Sequence, residues 1–183
     1  TREDVKEWLQ KLKTRQRDDG RLFVNDKQNE AISKAGERVM AELPKRQGCA
    51  AKASPPLRWV VHGGPGTGKT HVVRDVIKDE LFEQIMSWRQ GLDYQVIALQ
   101  AVMADQLGGD TIHHACGIPV RKRGQPTEQS AKRQMEIAKR ILQWRWLIID
   151  EISMVSAKLF AEIDVKLRGL VREVGTQKHA PDA

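Results

Sequence analysis

A chain of 183 residues, 40% hydrophobic and 30% charged, has the size and composition of one ordinary globular domain and leaves little room for two. No apolar run approaches the roughly 20 residues of a membrane span, no charged-then-apolar leader opens the chain, and two cysteines, Cys49 and Cys116, build no disulfide framework and suit a reducing interior. Formal net charge is +7, and most of the excess is local: from Arg121 to Arg145 eight Lys/Arg face Glu128 and Glu136, which is expected either of a polyanion-binding segment or of a solvated helix surface.

The chain begins at Thr1 rather than methionine, as a piece cut from a longer polypeptide would. Residues 1–17 read as an amphipathic helix with Val5, Trp8, Leu9 and Leu12 on one face, stopped by "DDG". A second helix starts near Asn25 or Asp26, turns Ala31, Ile32, Ala35 and Val39 inward, and ends at Pro44. After a small-residue loop come three short apolar segments read as strands, "LRWVVHG" (57–63), "YQVIAL" (94–99) and "WLIID" (146–150). Helical stretches at about 69–90, 100–107 and 127–143 separate them, and a last helix follows with the stripe Val155, Leu159, Ile163, Leu167, Leu170 and Val174. Alternation of strand and helix predicts an α/β fold around a parallel sheet covered on both faces.

"GGPGTGKT" (63–70) fits the phosphate-binding pattern G-x-x-x-x-G-K-T, placed between a predicted strand and a predicted helix, as that motif requires. Around Pro65, which has no N–H of its own, Gly63, Gly64, Gly66, Thr67 and Gly68 offer backbone N–H groups to a phosphate. Lys69 reaches the β- and γ-phosphates, Thr70 offers a hydroxyl to Mg²⁺, and His71 follows at the helix start. A partner acid is expected at another strand end, and "LIIDE" supplies it. Asp150 suits Mg²⁺, and Glu151 beside it suits orienting and deprotonating the water that attacks ATP. A GTPase would carry an N-K-x-D element, which is absent, and the acid pair favours the ATP-driven motors over small-molecule kinases.

"GGDTIHHACGIP" (108–119) has the look of a metal site, with His113, His114 and Cys116 close together. Zinc needs three or four converging ligands, usually as spaced pairs, and no second cluster completes such a shell; adjacent histidines diverge on most backbones. No zinc is expected, with Cys116 packed in the core and His114 a plain surface or packing residue.

Taken together, "GGPGTGKT", "ALQAVMADQLGGDTIHHACGIP" and "RWLIIDEISMVSAKLF" resemble, in order and spacing, the Pif-one family of superfamily-one DNA helicases over roughly residues 22–174. The resemblance implies a P-loop NTPase with a RecA-like three-layer α/β/α parallel sheet, present in part: an N-terminal helical extension over 1–21 and a partial ATPase lobe over 22–183. It implies ATP and Mg²⁺ as cofactors and single-stranded DNA as partner, with neither membrane nor zinc. The expected whole is a 5′ to 3′ helicase of recombination, repair and telomere maintenance, monomeric within a larger polypeptide, and nuclear or mitochondrial in a eukaryote. Gln28, in "LFVNDKQNEAI", matches the glutamine that reads the adenine edge. Thr111, Ile112 and His113 fall in a strand-binding element, and Arg121, Lys122 and Arg123 follow as DNA-phosphate contacts. Where the family has a threonine-glycine pair after the second strand this chain has Gln100-Ala101, and His114 stands where it has a serine. Two other classes stay open: another ATP-driven remodeller such as an RNA helicase, and a non-catalytic, transposon-derived DNA-binding fragment. In RecA-like sheets a further strand inserts between those of "LRWVVHG" and "WLIID". The expectation is therefore that residues 1–183 alone are loosely packed and hydrolytically silent.

Overall fold

The computed structural model describes residues 1–43, 56–119 and 131–177, which group into two compact units, Thr1–Ser87 and Trp88–Ala183.

The first unit is helical. Helix α1 (Arg2–Thr14) opens with a reciprocal cap in which the Thr1 hydroxyl accepts from the Asp4 N–H while the Asp4 carboxylate reaches back to residue 1. An antiparallel bridge between Gln16 and Leu22 then turns the chain through "RDDG". Helix α2 (Asp26–Glu42) starts where the sequence places it, with Asn25 and Gln28 capping each other at 2.9 Å in both directions. Leu43 leaves the helix extended (φ −86°, ψ 144°), the conformation imposed on a residue before proline. Next comes a helix over His71–Ile85, shorter than the expected 69–90 and wound in π fashion. It closes with the Met86 N–H donating to Leu81 O five residues back at 3.1 Å. Its buried residues, Val72, Val76, Ile77, Leu81 and Phe82, recur every four to five positions rather than every 3.6, so the wider winding keeps one apolar stripe facing inward. That stripe packs with Val5 and Leu12 of α1 and Ile32, Ala35 and Val39 of α2 as the unit's core.

The second unit is built on a parallel three-stranded sheet in the order β2-β1-β3, with β1 Tyr94–Ala98, β2 Asp110–Thr111 and β3 Trp146–Ile149. Strand β1 lies in the middle, Tyr94 opposite Trp146 and Ala98 opposite Thr111, and all five of its residues are buried, as a strand covered on both faces must be. Its helices are α3 (Ala101–Gln106), α4 (Ile112–Cys116), α5 (Ala131–Ile141) and α6 (Ala157–Gln177). On one face Ile97 gathers Ile112, Cys116, Ile118 and Ile163, with Leu147, Ile149, Leu159 and Leu167 packed around them. Ile163 is the buried centre of the stripe expected on the last helix. These elements give the chain the α/β fold class read from its sequence: a parallel sheet with flanking helices, part of a RecA-like domain.

One expected strand is not there. Residues 57–63 ("LRWVVHG") run without regular structure and form no ladder among the described residues. Their exposure still alternates, Val60 being 66% exposed between half-buried neighbours, so the period-two pattern survives. A strand exists only by hydrogen bonding to another, and alternation alone supplies the pleat but not the partner.

Gly117 ends α4 in the left-handed region (φ 61°), and a β-carbon there would lie 2.6 Å from Ile137 Cδ1 and 3.2 Å from Lys166 Nζ. Gly117→Ala combines an unfavourable backbone with overpacking, and should destabilise the second unit by about 1–3 kcal/mol. Chemical denaturation followed by tryptophan fluorescence measures it; a loss under about 0.5 kcal/mol would show that Ile137 and Lys166 yield freely.

Candidate nucleotide and nucleic-acid site

The glycine loop and the helix behind it lie in the first unit. Gly66 and Gly68 take positive φ (69° and 79°), and the Val72 N–H donates to Gly68 O at 3.0 Å as the helix begins. Thr67 Oγ1 donates to Gly64 O at 2.8 Å, and Lys69 Nζ folds over the loop to donate to the carbonyls of Gly63 (2.9 Å) and Gly64 (3.0 Å). These bonds gather residues 63–69 into one tight turn with the ammonium inside it, while Pro65 stands exposed at the bend. Thr70, exposed and helical in backbone, makes no capping bond with its side chain.

Gln28 meets this loop. Its oxygen accepts from the Asn25 N–H while its Nε2 donates to Thr67 O at 3.0 Å, so one amide both starts α2 and holds the loop. Gly68 is required here twice over: a β-carbon would sit 2.6 Å from Gln28 Nε2, at a φ that L residues avoid.

His71 is fixed at both ring nitrogens, Nδ1 2.8 Å from Asp75 Oδ2 and Nε2 3.3 Å from Phe23 O, and its ring meets Phe23 edge-on with centroids 4.8 Å apart. Burial alone would raise the Asp75 carboxyl, but bonds from Arg74 and His71 outweigh it and hold the acid below its ordinary value. Around these residues opens a cleft of about 740 Å³, lined by the loop at Gly66–Gly68, by Asn25, Gln28 and His71, and by the turn carrying Arg17, Arg21, Leu22 and Phe23. Sequence reasoning did not single out this last group. Its signal was an Asp-Gly turn between two arginine-bearing arms, "RQRDDGRLF".

In the second unit the candidate residues gather at the C-terminal end of β1. Thr111 pairs with Ala98 on one side, and on the other the Asp150 N–H donates to Ile97 O at 2.9 Å, which carries the ladder one residue past β3. Ligands of open parallel sheets bind at this edge. Glu151 follows, exposed and in the left-handed region (φ 47°), a conformation that costs a non-glycine residue roughly 1–2 kcal/mol. The turn is held by the Met154 N–H donating to Glu151 O at 2.9 Å.

Thr111 caps α4, its hydroxyl accepting from the His114 N–H at 3.3 Å, and Asp110 Oδ1 accepts from the Thr111 N–H at 2.7 Å. His113 is half-buried, and its carbonyl takes the Ile118 N–H at 3.0 Å. His114 is on the surface, as expected, yet it is not a plain residue: its Nδ1 pairs with Asp110 Oδ2. The far end of α4 is closed by two cations, Lys166 on Gly117 O (2.7 Å) and Arg140 on Ala115 O (3.3 Å), which complement a helix C-terminus. Cys116 beneath them is fully buried, and burial pushes its thiol up to about 11. Among the described residues no three His, Cys, Asp or Glu side chains converge as metal ligands, and no helix is long and apolar enough to cross a membrane. Arg121, Lys122 and Arg123 lie outside the described residues.

Comparison with known proteins settles the lineage. A family model described as PIF1-like helicase matches residues 24–180. The chain belongs to the PIF1-like helicase family. It is similar to the ATP-dependent DNA helicase PIF1 of Trypanosoma brucei brucei, 32% identical over 108 residues, covering 59% of this chain and 10% of that protein. It is also similar to the ATP-dependent DNA helicase PIF3 of the same organism, 32% identical over 130 residues (71% of this chain, 14% of that protein). To the ATP-dependent DNA helicase PIF1 of Emericella nidulans it is 31% identical over 115 residues (62% and 15%). The chain thus spans a tenth to a seventh of the length of these curated relatives. No solved structure matches it.

The buried thiol gives a measurable pH dependence. A Cys116 pKa raised to about 11 leaves the folded protein holding its proton where an unfolded cysteine, ionising near 8.5, has lost it. Between about pH 8.5 and 11 the unfolded state binds fewer protons, so stability falls as pH rises. Alkylation by iodoacetamide at pH 8, read at the Cys116 peptide by mass spectrometry, should be slow in buffer and complete in denaturant. Equal rates would show the thiol to be accessible.

Proposed function

We propose that this chain forms the nucleotide-binding part of an ATP-dependent DNA helicase, coupling ATP hydrolysis to 5′ to 3′ movement on single-stranded DNA in recombination, repair and genome maintenance. The observation that carries the reading is the bonding of Gln28 to the phosphate loop, in a chain of the PIF1-like family. The loop fits a triphosphate: it is a cradle of glycines, and β-carbons at Gly63 or Gly68 would stand 2.7 and 2.6 Å from Thr67 Oγ1 and Gln28 Nε2. Lys69 is the charge that would leave the loop carbonyls for phosphate oxygens and offset the negative charge that grows on them during transfer. Gln28 keeps one N–H and one lone pair beyond its bonds to Thr67 and Asn25, enough to meet an adenine edge as donor and acceptor.

Thr70 and Asp150 offer a hydroxyl and a carboxylate, the hard oxygen donors that Mg²⁺ prefers. The ion, when bound, would neutralise phosphate charge. Glu151 is the group that would take a proton from the attacking water, and its exposed, fixed backbone leaves the carboxylate free to do so. Thr111 and His113, with Arg121, Lys122 and Arg123, are the residues we assign to the DNA strand, and the cell compartment in a eukaryote would be nucleus or mitochondrion.

In the whole protein Lys69→Ala should abolish ATP turnover and leave DNA binding largely intact, whereas Glu151→Gln should bind ATP and lose hydrolysis by about 100-fold or more. Nucleotide binding with single-turnover kinetics separates the two; unimpaired hydrolysis by Glu151→Gln would end the role given to that residue.

Replacing Arg121, Lys122 and Arg123 together by alanine should flatten the logarithmic salt dependence of single-strand binding by up to about 2 units, at about 0.7 per phosphate contact. An unchanged slope would make this stretch ordinary solvated surface.

A further inference from the structure

The family match begins at residue 24, and the turn that forms one wall of the nucleotide cleft lies before it. This turn is a built element. The Arg17 N–H donates to Arg21 O at 2.8 Å, the Gly20 N–H to Arg17 O at 2.9 Å, and the Phe23 N–H to Arg15 O at 2.8 Å, which pairs the two arms around Gly20 (φ 78°).

It is also fastened to the helix that follows the phosphate loop. Glu80 of that helix, its side chain 15% exposed, receives Arg15 Nη1 at 2.6 Å on one oxygen and Trp8 Nε1 at 2.9 Å on the other. The Arg15 guanidinium lies 3.9 Å over the Phe23 ring, and His71 meets the same ring edge-on. Phe23 O accepts from Arg17 Nη2 at 3.2 Å and faces His71 Nε2 at 3.3 Å. The first residue after the glycine loop is thus held by the turn's own backbone.

Two guanidinia, Arg17 and Arg21, line the cleft together with Gly66–Gly68, and among the described residues no carboxylate lines it. Two carboxylates stand behind lining residues, Asp19 with an oxygen 3.8 Å from Arg21 Nε and Asp75 with one 2.8 Å from His71 Nδ1. We propose that the 15–23 turn is a part of the nucleotide site that this chain adds to the family's, with Arg17 and Arg21 drawing in and holding the phosphate-bearing nucleotide by charge. This rests on the reading that the cleft takes ATP. The arginines act on ground-state affinity, since an exposed cation contributes mainly attraction that salt screens. The effect per arginine is roughly two- to fivefold at low ionic strength.

Arg21, with 86% of its side chain exposed, can be changed without touching the core, which makes it the cleaner probe. Isothermal titration of the whole protein with ADP, at low and at near-physiological salt, compares wild type with Arg21→Lys, Arg21→Ala, Arg21→Glu and the Arg17→Ala/Arg21→Ala pair. Affinity should fall in that order through the single variants, Arg21→Lys staying near wild type, and the differences should shrink as salt rises. Equal affinity of Arg21→Glu and wild type at low salt overturns the proposal, as does a loss confined to the double variant and insensitive to salt, which would mark Arg17 as a structural prop. Lys69→Ala is the control: loss of ADP binding there with an unaffected Arg21→Glu rejects the turn alone. Absence of ADP binding by wild type rejects the nucleotide reading and this inference with it.

Discussion

The Gln28 amide accepts from the Asn25 N–H and donates to Thr67 O, and the first unit is organised around that double commitment. Without its oxygen α2 loses half of its capping box, worth on the order of 1 kcal/mol. Without its nitrogen the glycine loop loses its tie to α2. The constraint runs the other way too, since only glycine at 68 gives the amide room. A helix start, a loop shape and a candidate base contact are therefore one structural unit, joined across 39 positions of sequence.

Most of the element order was legible in the chain because each element carries its own local signal. Asn25 before a 3.6-period stripe gives the start of α2, and the buried run "YQVIA" gives a strand covered on both faces. What was not legible is pairing. "LRWVVHG" has the alternation of a strand and no ladder among the described residues, because hydrogen-bond partners come from elsewhere in the chain and leave no trace in the segment itself. The π winding of His71–Ile85 was equally hidden, though apolar pairs at 76–77 and 81–82, five apart, are the mark it leaves.

Within the candidate site, residues set by backbone chemistry were the readable ones. Gly66 and Gly68 are needed for positive φ, and Asp150 stands where the ladder ends, so a motif with its flanking strand or helix locates both. Residues set by tertiary contact were missed. Phe23, Arg15 and Glu80 are joined over a sequence separation of more than fifty residues, and Asp110 becomes a partner of His114 only because α4 starts at Ile112 and brings them one turn apart. His114 looked ordinary because an imidazole's role depends on what faces it.

Glu151 combines a carboxylate with a backbone conformation that suits glycine or asparagine better. Screens that reward thermal resistance alone would therefore drift at this position, trading the acid for a residue at ease in a left-handed turn. Proteolysis-based selection applied to this chain would improve the fold while erasing the carboxylate. A library intended to preserve chemistry has to hold position 151 fixed and look for its gains elsewhere.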